Sequence, residues 1–372
     1  MEAKKRMANF ELLRLIAMFM VVTMHYLSKT EVLLALDVPA YSIQYVGTLL
    51  ESFCIAAVNV YVLISGYFLI ESRFKMSRVI SLLCQIWFYS LLIPVILGLL
   101  GMETVMGKQG LYGLLTYLFP IETEHYWFAT AYVILYLLTP LLNRAVKALS
   151  RQQLQMVIGL LLILFCGIKS ISPVVFAFDN YGYDACWFIC VYLIAAYCRL
   201  YGIPFLEQKK NALGVYLGCS VVIFGMTAGL RVLYQKTGLL AYYFTVPFHY
   251  NFILCLLGAL GLFFAFSRLQ MKSGKVEQII CFCGPLSFGV YLLHEHIDIR
   301  YVWYEWIRLI PGMSGVSDKL PVFLLQWFLS VLLVFVAGLL VDLLRTKLFA
   351  SCVRLLDKTK LAGWIRKIDQ TF

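Results

Sequence analysis

Residues 321–341 read PVFLLQWFLSVLLVFVAGLLV, a run of 21 positions without a charged side chain. An α-helix rises about 1.5 Å per residue, so this run is long enough to cross the hydrocarbon core of a membrane, which is roughly 30 Å thick. Comparable apolar blocks recur along the chain, at about 10–27, 45–70, 79–100, 126–143, 154–171, 185–202, 211–230, 247–267, 279–297 and 321–349. We therefore predict an all-α, polytopic integral membrane bundle of about ten transmembrane helices.

The composition of the 372 residues agrees with a membrane protein. Hydrophobic residues make up 62% of the chain and charged residues 14%, whereas soluble domains contain about 45–50% and about 25%. These values exclude a soluble globule, a disordered chain, a coiled coil and a secreted disulfide scaffold. Long apolar blocks are also unlike the short alternating strands of a transmembrane β-barrel. A further apolar piece, 111–119, is too short to cross, and we expect it at the outer surface or as a re-entrant segment.

Basic residues are distributed unevenly along the chain. Lys and Arg number 31 against 20 Asp and Glu, which gives a net charge of +11. Most of the basic residues fall in alternate connections between the blocks and near the C-terminus, and the positive-inside rule then places both termini in the cytoplasm. Contact with anionic lipid explains the excess, so we expect membrane lipid and no nucleic acid as a partner. The chain divides into a transmembrane domain, 1–350, and a basic cytoplasmic tail, 351–372.

The 11 cysteines predict no metal site. Most of them lie inside apolar blocks, where a thiol behaves as a small hydrophobic group. Cys281 and Cys283 have the spacing of neither a zinc site nor a redox motif.

Three ionisable residues interrupt the first apolar block, namely Glu11, Arg14 and His25. Such groups are costly inside a membrane unless they face the bundle interior and find a partner, so each is a functional candidate. Arg14 and His25 are eleven positions apart, which puts them within about 20° on one helix face and about 16 Å apart along the axis. Arg14 suits a phosphate or carboxylate, His25 suits a base, and Glu11 lies one turn from Arg14. Alternatively, Arg14 extends to the membrane surface and His25 is an interfacial residue.

The predicted outer connections are aromatic rather than charged. They contain Phe176, Phe178, Tyr181 and Tyr183, and then the run 242–244. An aromatic belt at the membrane interface explains these residues. The alternative is that their rings help to form a platform for a sugar-like acceptor on the outer side.

The order of these residues resembles a known family. The segment 11–17 with His25 is similar to the opening signature of the membrane-bound acyltransferase-3 family, an arginine followed after ten residues by a histidine. Later segments resemble further motifs of that family across nearly the whole chain: 59–67 with Ser65 and Gly66, the basic cluster Arg73, Lys75 and Arg78, 125–128 with Tyr136 and Pro140, 187–199, and 287–294. Three positions depart from the family pattern. Tyr132 and Val133 stand where one version has adjacent acidic residues, and Asn59 replaces an acidic residue.

The resemblance implies transfer of an acyl group, usually acetyl from cytoplasmic acetyl-CoA, to a hydroxyl of a cell-surface glycan, a lipid-linked saccharide or another envelope component. It also implies a multi-pass protein of the bacterial cell membrane. Acetyl-CoA is then the acyl donor substrate, and no metal is expected.

The same resemblance suggests roles for individual residues. The catalytic candidates are His25 and Arg14, with His25 acting either as a general base or as an acyl carrier. Cations for the phosphates of coenzyme A are Arg73, Lys75, Arg78 and Arg14. The acceptor-site candidates are His294, Tyr291, His125 and Trp127. Supporting roles fall to Glu11, Asn59, Ser65 and Gly66, of which Ser65 and Gly66 are expected to allow close helix packing. We expect Glu295 and His296 to be interfacial.

Two other functions fit a polytopic membrane protein. A transporter for a small, amino-acid-like solute would use the same module, but discontinuous helices and paired charges at mid-membrane would favour it, and the sequence has no obvious inverted repeat. A purely structural partner in an envelope complex would tolerate substitution of Arg14 and His25.

Overall fold

The computed structural model describes residues 7–123, 125–172, 180–272, 274–356 and 360–371. Helices dominate these residues, and none of them forms a strand. The helices are α1 Ala8–Lys29, α2 Ser42–Cys54, α3 Ala57–Leu69, α4 Met76–Leu99, α5 Val105–Gln109, α6 Leu111–Leu118, α7 Trp127–Ala148, α8 Arg151–Leu162, α9 Lys169–Ile171, α10 Ala185–Tyr201, α11 Pro204–Glu207, α12 Lys209–Thr237, α13 Ile253–Ser267, α14 Lys275–Cys283, α15 Ser287–His294, α16 Trp303–Arg308, α17 Leu320–Leu356 and α18 Lys360–Thr371. The prediction of an all-α membrane bundle is confirmed.

The predicted apolar blocks all coincide with helices. Within the described ranges, nine helical runs are long and apolar enough to cross a membrane, and α10 is a shorter apolar helix of 17 residues. Some runs join two helices, as where α2 and α3 together form the 28-residue run Ser42–Leu69. The short apolar piece at 111–119 forms the eight-residue helix α6. The orientation of the chain in the membrane stays a prediction.

Helix α1 occupies the middle of the bundle. It packs against α2, α3, α13, α14, α15 and α17. Its polar residues Glu11, Arg14 and His25 therefore lie among neighbouring helices, where partners for ionisable groups are available.

A break between α14 and α15 fits closely against α1. The chain forms a short 3₁₀ turn at Gly284–Leu286, where Pro285 offers no backbone N–H for a continuous helix. A Cβ atom at Gly284 would lie 2.3 Å from Oε2 of Glu11, so only glycine fits at this crossing. The turn sets the direction of α15, which ends at His294.

The C-terminal region is helical and contacts the rest of the bundle. Helix α17 continues past the predicted boundary at residue 350, and α18 packs against α4. The backbone N–H of Ser77, near the start of α4, donates to Oδ1 of Asp369 at 3.1 Å. Burial alone would raise the pKa of the Asp369 carboxyl, but its hydrogen bonds with Ser77 outweigh burial and lower that pKa.

Candidate active site

Two histidines that are distant in sequence meet at the ends of α1 and α15. Nδ1 of His25 lies 2.8 Å from Nε2 of His294, and 3.2 Å from Oε1 of Glu295. His294 is 1% exposed, whereas the side chain of His25 is 25% exposed. We call His25 and His294 the histidine dyad. His25, the less buried residue, can contact a ligand. His294, the more buried residue, holds the ring of His25 in place.

Hydrogen bonding determines where the protons of the dyad lie. Nδ1 of His294 is 2.6 Å from the carbonyl oxygen of Val290. A carbonyl oxygen only accepts, so Nδ1 of His294 carries a proton, and Nε2 of the neutral ring is an acceptor. His25 must then donate from Nδ1, which leaves its Nε2 with a free lone pair. This tautomer is the one that a general base or a nucleophile at Nε2 requires.

His25 lies where two cavities meet. The narrow cavity, about 30 Å³, is lined by Met18, Val21, His25, Val58, Tyr61, Trp127, Phe128, Tyr250, Phe288 and Tyr291. The wide cavity, about 420 Å³, is lined by Met24, His25, Ser28, Leu33, Leu34, Thr48, Glu51, Ile55, Trp127, Tyr183, Thr227, Phe244, Thr245, Phe248, His249 and Tyr250. His25, Trp127 and Tyr250 line both. The imidazole can therefore contact a molecule in either cavity.

Tyr61 connects the narrow cavity to the backbone of Arg14. Its ring lines this cavity, and its hydroxyl donates to the carbonyl oxygen of Arg14 at 2.7 Å. Nη1 of Arg14 is 2.6 Å from Oε1 of Glu11, which is the pair expected from their spacing. The guanidinium of Arg14 is thus held on α1 by Glu11.

Arg14 also lies near the predicted donor-binding cations. The charges of Arg14 and Arg78 both act on the hydroxyl of Tyr132, and Ser65 lies beside that hydroxyl. Arg73 and Arg78 are exposed and Lys75 is half-buried. Arg14 and Arg78 thus lie near the same tyrosine, and their positive charges suit an anionic group.

Comparison with known proteins identifies the family. The acyltransferase-3 family model, described as an acyltransferase domain, matches residues 7–345. The chain belongs to the acyltransferase-3 family. It is a membrane acyltransferase. No curated protein matches the chain, and no solved structure matches it.

The acceptor-site candidates of this acyltransferase fall into two groups. Trp127 and Tyr291 line cavities beside the dyad, and His294 belongs to the dyad itself. His125 lies apart from them: its Nδ1 is 3.4 Å from the carbonyl oxygen of Thr116, and its Nε2 accepts from the backbone N–H of Ile297 at 3.1 Å. Both ring nitrogens thus contact backbone groups, which favours a structural role for His125.

His296, expected to be interfacial, is fully buried beside His125. Their rings are 4.5 Å apart, and Nδ1 of His296 accepts from the backbone N–H of Asp298. Burial and the charge of Arg300 lower the pKa of His125 to about 3. Burial and the proximity of His125 lower the pKa of His296 well below its ordinary value. Both rings are therefore neutral at physiological pH.

The supporting residues of this acyltransferase act through packing and hydrogen bonds. Asn59 donates to the carbonyl oxygen of Tyr250 at 2.8 Å and accepts from Nε1 of Trp187 at 2.9 Å, which fixes the Tyr250 segment against α3 and α10. A Cβ atom at Gly66 would lie 2.7 Å from Cβ of Ala195, so Gly66 allows α3 and α10 to approach closely.

Sequence reasoning missed two carboxylates of this acyltransferase and did not predict the contact of a third. Glu51 lines the wide cavity, and the fully buried Asp342 pairs with Arg345 at 2.6 Å. Glu295, expected to be interfacial, contacts His25. Glu51 and Asp342 lie inside predicted spans, so the rule that singled out the first block would have found them in the others. No feature of the sequence around Glu295 predicts its contact with His25.

His25, His294 and Glu295 are also the residues most suited to hold a metal ion, since their ligand atoms lie within 4.8 Å of one another. Two nitrogens bound to one tetrahedral zinc ion are about 3.3 Å apart, because each lies about 2.0–2.1 Å from the metal. The dyad nitrogens are 2.8 Å apart, a distance typical of a hydrogen bond. The arrangement fits a hydrogen-bonded dyad better than a metal centre, and the absence of a metal stays a prediction.

Proposed function

We propose that this acyltransferase moves an acetyl group from cytoplasmic acetyl-CoA to a hydroxyl of a cell-surface glycan or its lipid-linked precursor, in a bacterial cell membrane. The observation that carries the proposal is the position of His25, whose free Nε2 lies where the two cavities meet. Tyr61 connects the narrow cavity to the backbone of Arg14, and the wide cavity has room for a small sugar ring. A donor and an acceptor can thus reach the same imidazole from different directions.

The donor would bind through its charges and its thioester arm. Arg73, Lys75, Arg78 and Arg14 offer cations to the phosphates of coenzyme A. The acyl end would then lie at His25, beside the aromatic and aliphatic side chains of the narrow cavity, which exclude water. Exclusion of water favours transfer to the acceptor over hydrolysis of the thioester.

In the general-base mechanism, Nε2 of His25 takes the proton of the acceptor hydroxyl. The hydroxyl oxygen attacks the thioester carbonyl carbon, the carbon–sulfur bond breaks, and the proton passes from His25 to the leaving thiolate. The carboxylate of Glu295, 3.2 Å from Nδ1, stabilises the imidazolium formed during the reaction. The products are an ester and free coenzyme A. In the acyl-carrier mechanism, Nε2 bonds to the acyl carbon while the carbon–sulfur bond breaks and coenzyme A leaves as the thiolate. The acceptor hydroxyl then attacks the acyl carbon, the bond to Nε2 breaks, and the hydroxyl proton passes to the thiolate. Both mechanisms require the inferred tautomer, which has a lone pair at Nε2.

Family membership favours a transferase over a transporter. The hydrogen bond that fixes the dyad also serves a reaction at Nε2, whereas a solute pathway has no need of a single tautomer.

The experiment that tests the proposal is transfer of label from radiolabelled acetyl-CoA in membranes that contain the protein. We expect base-labile label in extracted glycan with the native chain, and none with His25→Ala at equal expression. A wild-type protein that inserts correctly and labels no glycan would contradict the proposal, and so would a His25→Ala variant with full activity.

A further inference from the structure

The wide cavity has an unusual combination of lining groups. Five aromatic rings line it, together with the hydroxyl groups of serine and threonine and the single carboxylate of Glu51. Among its described lining residues there is no lysine or arginine. The cavity is therefore rich in hydrogen-bond acceptors and has no cation that would attract an anion.

Glu51 is held firmly at this cavity by the packing of α2. A Cβ atom at Gly47, one turn earlier, would lie 2.1 Å from the carbonyl oxygen of Val32, so α2 lies directly on that backbone. The hydroxyl of Thr48 accepts from the backbone N–H of Leu34 at 2.9 Å. These contacts fix the face of α2 that bears Thr48 and Glu51.

The Glu51 carboxylate lacks a complete set of partners. Its Oε2 is buried, and no group within the described ranges hydrogen-bonds to it. Burying a polar atom without a hydrogen bond is costly, and more so for a carboxylate. A ligand that brings hydroxyl groups would supply the missing partner, whereas an anionic ligand would find no lysine or arginine in this cavity to offset the loss of its hydration.

Two nearby hydroxyls also present acceptor oxygens. Thr227 donates to the carbonyl oxygen of Ile223 at 3.0 Å, and Thr245 donates to that of Tyr242 at 3.3 Å. Because each hydroxyl has one proton, its oxygen then accepts from any further partner. A ligand with several hydroxyl groups, each of which can donate a hydrogen bond, would match these acceptor oxygens.

Three aromatic rings form a wall of the cavity beside the dyad. Trp127 stacks on Tyr250 at 5.8 Å, and both rings lie within 5 Å of Tyr183, at 4.5 Å from Trp127 and 4.7 Å from Tyr250. Flat aromatic faces pack well against the C–H face of a sugar ring. Trp127 and His25 both line this cavity, so a ring on this wall lies beside the imidazole.

We propose that Glu51 accepts hydrogen bonds from the hydroxyls of the acceptor, and that the wide cavity selects an uncharged polyhydroxylated ring over an anionic one. This inference rests on the proposed acyl transfer to a glycan. Glu51 would then be a specificity-determining residue, since it contacts acceptor hydroxyls other than the one that reacts.

The test uses methyl hexopyranosides and the matched methyl hexuronides, which differ by a carboxylate in place of the CH₂OH group. Acceptor KM, donor KM and fluorescence-detected glycoside binding without donor are measured for the purified full chain. We expect the wild type to prefer neutral glycosides, and Glu51→Gln to raise the KM for them by about 10-fold, as for loss of about one hydrogen bond. Donor KM should not change. The hexuronides, which find no lysine or arginine in the cavity of either protein, should bind weakly to both, so the preference for neutral glycosides should narrow.

Glu122→Gln is the matched control, since Glu122 is exposed and lies outside the cavity. A purely structural role for Glu51 predicts a less stable Glu51→Gln protein, whereas a binding role predicts unchanged or higher stability without ligand. Unchanged acceptor KM and unchanged preference in Glu51→Gln would overturn the inference and leave acyl transfer intact. Preference of the wild type for hexuronides would overturn it as well. If the wild type neither binds nor acetylates any glycoside and labels no cellular glycan, the proposed function fails too.

Discussion

Nε2 of His294 lies 2.8 Å from Nδ1 of His25, although 269 positions separate the two residues in the chain. The contact fixes both the orientation and the tautomer of His25. We therefore expect His294 to act through His25 rather than by contacting the substrate. The predictions below separate this positioning role from the other roles in the site.

Replacing His294 should lower turnover without weakening donor binding. In His294→Ala the ring of His25 loses the partner that holds its Nδ1 proton, and loss of such a partner costs roughly 10–100-fold in activity. We expect kcat to fall by about this factor and the KM for acetyl-CoA to stay constant. His294→Gln, whose side-chain oxygen can accept from Nδ1, should recover part of the loss. Equal activity of the alanine variant and the wild type would contradict the positioning role.

Reversing the exposed donor-side cations should weaken donor binding. We expect Arg73→Glu with Arg78→Glu to raise the KM for acetyl-CoA at least about 10-fold through lost phosphate pairing. The effect should shrink at high salt, because exposed charges are screened. Lys209→Glu with Lys210→Glu is the control, since these lysines are also exposed but lie at the start of α12. Similar KM changes in both double variants would indicate a general charge effect rather than a site.

The stability of the protein should fall as the pH falls below neutral. Burial lowers the pKa of His125 from 6.5 to about 3, so the unfolded chain binds a proton between these values while the folded chain does not. Stability is therefore fully present above pH 6.5 and is lost toward pH 3. We expect the thermal unfolding midpoint in detergent to decrease from pH 7 to pH 5. His125→Asn should show a weaker dependence on pH, and an equal dependence in both proteins would contradict the prediction.

Close packing at Gly289 should make this glycine irreplaceable. A Cβ atom there would lie 2.3 Å from Cβ of Asp342, across the contact between α15 and α17. Overpacking of this kind costs about 1–3 kcal/mol, so Gly289→Ala should lower the unfolding midpoint and also disturb α15, which bears His294. Gly225→Ala is the matched control, because a Cβ atom on that helical glycine meets nothing within 4 Å. It should be neutral or slightly stabilising.

Chelation of metal ions should leave acyl transfer unchanged. The dyad is complete as a hydrogen-bonded pair, and the reaction needs a lone pair at Nε2 of His25 rather than a metal ligand. Activity after dialysis against EDTA should equal that of the untreated protein. Activity that disappears on dialysis and returns with zinc would show that His25, His294 and Glu295 bind an ion.

Hydropathy and local spacing predict the fold and only part of the site. The helical runs can be predicted from the lengths of the apolar blocks, because a helix in a membrane forms all its backbone hydrogen bonds within itself. The pairing of Glu11 with Arg14 follows from positions three apart on one helix. The contact of His25 with His294 depends on how α1 packs against α15, which neither segment encodes alone. Phe176 and Phe178 of the predicted aromatic platform lie outside the described residues, while Tyr183 and Phe244 line the wide cavity.

The contacts of α4 have a consequence for the order in which the protein assembles. Ser77 of this helix hydrogen-bonds to Asp369, and Gln85 and Tyr89 both donate to Asp342 at 3.0 Å. The ribosome makes α4 early, whereas both carboxylates belong to α17 and α18, which are translated more than 200 residues later. Helix α4 therefore stays incompletely anchored in the nascent chain until α17 and α18 have been synthesised. The contact of His25 with His294 likewise forms only after α15 has been synthesised, so a nascent chain that stops before α15 lacks both the partner of His25 and these anchors of α4.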